Sequence, residues 1–240
     1  MTIKTIFAGL LLAATVGGAA HATNLVVNGS FESVTLDQFT NPVAPRKTYF
    51  AFASVTGWSG GANLTFIDPP GSADDIDQYL TVYGPFPTTS PDGGNFVEAD
   101  GDPSYSGAIS QTINGLTAGH SYVVSFYQAA GQQYGFTGPT TEQWSVSLGS
   151  GPAQLSSLYS LPQGGVGAWE SQSMTFTADG TSDVLTFLAE GTPGGAPPIS
   201  FLDGVSLNAS APEPAAWALM TLGVAALGAA MRRRRTAVAA

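Results

Sequence analysis

The chain has 240 residues, with 17 acidic and 7 basic side chains, two histidines and no cysteine. The missing cysteine excludes disulfide frameworks, thiolate zinc sites and thiol catalysis. Between Asn24 and Ser210 only Arg46 and Lys47 stand against 16 carboxylates, and a surface of that sign repels phosphate backbones, so nucleic acid is not an expected partner.

In chain order, Lys4 is followed by an apolar stretch from Ile6 to Val16 and by Ala20-His21-Ala22. A positive start, a short apolar region and a small-x-small site predict a signal peptide over residues 1–22, cut after Ala22 and handled by the Sec export machinery. Its removal leaves His120 as the single imidazole, which disfavours histidine-rich metal chemistry.

Residues 23–208 form the predicted domain. Glycine and proline are abundant (30 and 16 in the chain) beside plentiful aromatic and β-branched residues, a composition of short strands joined by turns rather than of disorder. Strands are predicted near Phe50 to Val55, Leu64 to Ile67, Tyr79 to Tyr83, Phe96 to Ala99, Ala108 to Ile113, Tyr122 to Ala130, Trp144 to Leu148, Met174 to Ala178, Val184 to Ala189 and Ile199 to Leu207. Trp144, Val146 and Leu148 alternate with serines, as a half-buried antiparallel strand does. Asn114-Gly115, Asp179-Gly180 and Pro91-Asp92-Gly93-Gly94 supply turns. The expected fold is all-β, a two-sheet antiparallel jelly-roll sandwich with no amphipathic helix, and Trp58, Trp144 and Trp169 belong to its core.

Sugar binding needs an aromatic face with amides nearby, because a pyranose has an apolar face and a ring of hydroxyls. Tyr83, Phe86, Tyr105, Tyr134 and Phe136 lie on predicted loops, and the segment carrying Gln132, Gln133, Tyr134 and Phe136 is the favoured ligand site. Asp74, Asp75 and Asp77 read as a solvated loop without the spacing of an EF-hand. Glu98 and Asp100 are two apart on a strand and share a face, as a glycosidase pair would require. No nucleophile elbow, P-loop or dinucleotide fingerprint accompanies them, and His120 sits in a hairpin turn.

A linker over 209–214 carries Pro212-Glu213-Pro214. The apolar run 215–231 follows, and at about 1.5 Å per residue it reaches roughly 25 Å, the short end of a single transmembrane helix. Arg232, Arg233, Arg234 and Arg235, within a basic tail over 232–240, predict a cytoplasmic stop with the domain outside.

The order of Pro-Glu-Pro, apolar helix and arginine cluster resembles the PEP-CTERM sorting signal, a tail also called the ice-binding protein C-terminal domain. That resemblance implies an exosortase that cuts near Pro212-Glu213-Pro214, and a place in the envelope or exopolysaccharide with at least transient anchoring in the inner membrane. A second resemblance lies in Asn24-Leu25-Val26-Val27-Asn28-Gly29-Ser30-Phe31-Glu32, Gly57-Trp58, Pro91 to Val97, Gly107 to Ile113 and Phe201 to Leu207. These segments stand in the order found in galactose-binding-like jelly rolls, the fold of many carbohydrate-binding modules. Such modules often hold a structural calcium between first and last strands, and the matching carboxylates are Glu32 and Asp203. The same two residues also suit a turn cap and a bulge beside Gly204. The reading is therefore an exported, non-catalytic protein that binds polysaccharide or extracellular matrix, with calcium as its one candidate cofactor. The alternatives are a purely structural matrix protein and, as a minor reading, a glycoside hydrolase.

Overall fold

The computed structural model describes residues 23–34, 38–40, 48–51, 55–61, 64–76, 80–194, 196–210 and 222–223. Thirteen strands make up the described part: β1 (Gln38–Thr40), β2 (Thr48–Ala51), β3 (Ser59–Gly60), β4 (Thr65–Asp68), β5 (Phe96–Asp100), β6 (Ile109–Asn114), β7 (Ser121–Gln132), β8 (Thr140–Leu148), β9 (Gln154–Leu155), β10 (Tyr159–Leu161), β11 (Val166–Thr177), β12 (Ser182–Thr192) and β13 (Pro198–Ala209). They form two antiparallel sheets, a seven-stranded one in the order β1-β2-β4-β5-β13-β7-β11 and a six-stranded one built on β10-β8-β12-β6-β3, with β9 paired to β8. This is the jelly-roll sandwich that the alternating segments predict.

Nine of the ten predicted strands are present, most of them longer than their apolar runs. The run from Tyr79 to Tyr83 instead contributes an isolated bridge, Val82 to Gln133, with Tyr79 outside the described residues. The signal peptide, Pro212-Glu213-Pro214 and Arg232 to Arg235 lie outside them too, as does the run 215–231 apart from Leu222 and Gly223. Among the described residues no helix is long and apolar enough to cross a membrane.

Period-two alternation decides what the sandwich encloses. In β8 the side chains of Trp144, Val146 and Leu148 point inward and are buried, with half-buried serines between them. They meet Phe126 of β7 and Phe187 of β12, whose rings stand at 90° with centroids 5.2 Å apart. Burial of each such side chain is worth about 1.5–3 kcal/mol. The Trp144 indole N–H donates to the Phe201 carbonyl at 3.0 Å and so stitches the two sheets together.

A second core lies on the outer face of the seven-stranded sheet. Within the long connection from β4 to β5, the described residues 69–76 and 80–95 lie across that face as a strap. Its Ala73, Leu80, Val82 and Phe86 pack on Phe96, Ala129, Ile199 and Phe201, with Trp169 at the side. Phe86 and Phe201 are 4.3 Å apart between ring centroids. The strap holds its own shape through Asp74, whose Oδ2 accepts the Phe86 N–H at 2.9 Å. Asp74 is thus half-buried structural wiring rather than part of a solvated loop.

Candidate functional site

The favoured segment begins where β7 ends. Gln133 donates its backbone N–H to Pro197, and Tyr134 donates to Thr81 of the strap at 2.6 Å. Gly135 follows at φ 88°, a left-handed turn that places the next residues outside the sheet. Tyr83 lies alongside, its N–H bonded to the Gln132 carbonyl, and its ring meets that of Tyr134 at 5.1 Å between centroids. The Tyr83 hydroxyl donates to the Phe136 carbonyl at 2.9 Å. The outcome is a fixed aromatic rim in which Tyr134 is 56% and Phe136 38% exposed.

Gln132 does not belong to that surface. The alternation of β7 carries it inward, where it is fully buried. Its Nε2 donates to the Gly138 carbonyl at 3.0 Å and its Oε1 accepts the Gly164 N–H at 2.7 Å. Each end of its amide helps to clamp the rim loop to a neighbouring turn. Gln133 is half-buried beside Tyr134. Of the other loop aromatics, Phe86 is buried in the second core, while Tyr105 is exposed after β5. His120 is exposed in its turn.

Glu32 and Asp203 sit where chain start and last strand meet. Asp203 is buried, its Oδ1 accepting the Gly204 N–H and its Oδ2 the Ser90 hydroxyl, at a bulge where the pairing with β7 shifts register. Glu32 is exposed and its Oε1 accepts the Asn95 N–H at 2.6 Å. Gly94 beside it takes φ 66°, the left-handed region that favours glycine, and a Cβ there would displace the Glu32 carboxylate. Both residues thus make the turn-capping and bulge bonds. Burial pushes the Asp203 carboxyl up to about 7 against the pull of Ser90 and Gly204, with the Asp92 and Glu32 carboxylates adding to the rise. No described residue is a lysine or arginine that could neutralise this acidic corner. Among the described residues no three of His, Cys, Asp and Glu come close enough to hold a metal ion, so a cation here would depend on backbone carbonyls for the rest of its shell.

Glu98 and Asp100 do share the outer face of β5, but in the interior. Asp68 of β4 joins them, and all three are buried beneath the root of the strap. Burial raises Glu98 well above the usual carboxylate range, helped by Asp68 and Asp100, and it pushes Asp68 up to about 7 and Asp100 up to about 6. An acid pair enclosed in this way is not presented to a bound polymer.

A cavity of about 530 Å³, missed in the sequence, lies between the Asn24 to Ser30 turn, Asp92 and Tyr127. Its lining comes from five separate segments, which no local pattern unites. Much of its amide chemistry is engaged: Asn24 Oδ1 accepts the N–H groups of Val26 and Leu207, and both ends of the Asn28 amide bond Ser33 and Thr56.

Residues 210–235 match the PEP-CTERM protein-sorting motif. The chain carries a PEP-CTERM sorting signal. Over 206 residues, 86% of its length, the chain is 27% identical to halomucin of Haloquadratum walsbyi, of whose length it spans about 2%. Among solved structures it is similar to TmCBM61, determined in complex with β-1,4-galactotriose (TM-score 0.45, 17% identity, 79% of this chain and 100% of that one). It is also similar to the CBM22-1–CBM22-2 tandem of Paenibacillus barcinonensis Xyn10C (TM-score 0.40, 16% identity, 82% and 49%).

Proposed function

We propose that this is an exported, non-catalytic module that binds polysaccharide through the rim of Tyr83, Tyr134 and Phe136. The observation that carries the reading is an aromatic surface left open to solvent and held in place by a backbone bond, a tyrosine hydroxyl and a buried glutamine. Ordering such a surface in advance removes the entropy cost of arranging it around a sugar. The enclosure of Glu98 and Asp100 supports the non-catalytic half of the reading. The solved complex of TmCBM61 with a galactotriose agrees in ligand class. Tyr134→Ala with Phe136→Ala is expected to abolish retention of the protein in polysaccharide affinity gels while leaving its circular dichroism unchanged. Retention unaffected by the pair would move the site elsewhere. Failure of the unsubstituted protein to be retarded by any polysaccharide would leave a matrix component without a small ligand.

Delivery follows the sorting signal: Sec export, transient seating of residues 215–231 in the inner membrane with Arg232 to Arg235 on the cytoplasmic side, and exosortase cleavage near Pro212-Glu213-Pro214.

A structural calcium at Glu32 and Asp203 belongs to the same reading. What supports it is a buried carboxyl pushed up further by the Asp92 and Glu32 carboxylates, with no lysine or arginine among the described residues. Calcium there would bind the chain start to β13 and offset that repulsion. With calcium at about 100 times its dissociation constant, removal by chelator should lower Tm by roughly 5–10 °C in the unsubstituted protein and not in Asp203→Asn. An unchanged Tm would assign both residues to their turn and bulge bonds alone.

A further inference from the structure

Beyond the rim, the outer face of the six-stranded sheet carries a groove for which the site described above does not account. Three cross-strand pairs line up there along β8 and β12: Thr141 with Thr192, Gln143 with Glu190, and Ser145 with Leu188. Residues two apart on a strand share a face, so the three pairs form a row of roughly 13 Å. Two cavities lie on this row, one of about 350 Å³ bounded by Gly138, Pro139 and Pro193, the other of about 370 Å³ bounded by Pro103, Leu158 and Leu188. Thr141 and Thr192 line both, and their hydroxyls are 2.6 Å apart, so the two cavities share a floor. Gly138, where the first begins, is two residues past Phe136 and is the residue clamped by Gln132.

The lining mixes apolar shelf and polar edge. Leu158 (58% exposed), Leu188 and the prolines offer flat apolar surface, and the two threonines, Gln143 and Glu190 offer hydrogen bonds between them. The Gln143 amide spends one hydrogen on Glu190 Oε2 at 3.4 Å and keeps the other for a ligand. Glu190 is the one charged residue in either lining, which disfavours polyanions.

We infer that this flank is an extended groove that takes an internal stretch of a neutral, linear polysaccharide, continuing from the Phe136 end of the rim across Thr141 and Thr192 to Leu158. The inference rests on the rim's binding a glycan and adds its chemical class and manner of binding: the chain is held along its length, not by a terminal sugar.

The test is calorimetric titration of the purified protein with β-1,4-linked gluco-, xylo- and galacto-oligosaccharides of increasing length, from one sugar to six. For the series that binds, affinity is expected to rise about tenfold or more from disaccharide to hexasaccharide and to be the same at low and high salt, as it would be without ion pairing. Leu158→Asp, at a side chain exposed enough to spare the fold, should bring the hexasaccharide down to the level of the disaccharide. Tyr134→Ala should weaken every length. Equal affinity for two and six sugars, or a length gain that survives Leu158→Asp, would overturn the groove and leave the rim standing. Absence of binding at every length would overturn both.

Discussion

Gln132 and Asp68 show how one residue's surroundings decide its role. A glutamine beside exposed aromatics reads as a sugar contact, yet here each end of its amide closes a backbone bond in the interior. Truncating it would leave the Gly138 carbonyl and Gly164 N–H without their partner, at a cost of about 1–3 kcal/mol. Gln132→Ala is therefore expected to lower Tm by roughly 2–8 °C and to weaken oligosaccharide binding without touching the sugar, because the rim loop loses its clamp. A full loss of binding with an unchanged Tm would place Gln132 in contact with ligand instead. Asp68, by contrast, stands at the end of β4 and is buried against a second acid, Glu98.

Among the elements, the strap is the one that alternation could not disclose. The long strands were legible because one face meets the core at every second position, as in β8 and β12. β3 and β9, of two residues each, are too short to show a period, and β1 and β10 barely longer. The strap has no period at all: its four apolar anchors are spaced irregularly around aspartates, so the sequence reads as a loop, and only the covered sheet face reveals what the anchors are for. The same covering explains why the Glu98 pair resembled a catalytic one, since strand spacing places two carboxylates on a face but does not say whether that face is open. Of the rim, the two exposed aromatics were legible as loop residues, whereas the partnership with Tyr83 depends on a contact between distant segments. At the strap's root the titration has a definite sign. Asp68 and Glu98 are raised by burial, so the folded state holds protons that the unfolded chain has already released. The pair's contribution to stability is fully present below about pH 4, where the unfolded carboxyls are still protonated, and is lost as pH rises through about 7, where Asp68 loses its proton. Asp68→Asn with Glu98→Gln is expected to raise Tm at pH 8 by about 3–8 °C and to change it much less at pH 4, as followed by thermal denaturation. Equal effects at the two pH values would mean that the pair does not titrate in this range.

At the scale of the whole molecule, charge and sorting belong to separate regions: the described residues contain no lysine or arginine, and the arginine cluster lies in the sorting motif. Cleavage near Pro212-Glu213-Pro214 predicts that the intact mass of the mature protein lacks Arg232 to Arg235; a mass that includes them would mean that the tail is retained. Asn24 adds a geometric consequence. Its Oδ1 binds the N–H of Leu207, and the Leu25 N–H binds the Leu207 carbonyl. Ser210 in turn bonds Ser121 at the start of β7, whereas the rim follows the far end of that twelve-residue strand. Entry and exit of the folded domain therefore share one pole, and the aromatic rim occupies the other, roughly 35–40 Å away. A tether at residue 210 would hold the domain like a mooring post with the aromatic rim outward. By the same token, a cargo fused ahead of Asn24 would sit beside the tether and leave the outward pole clear.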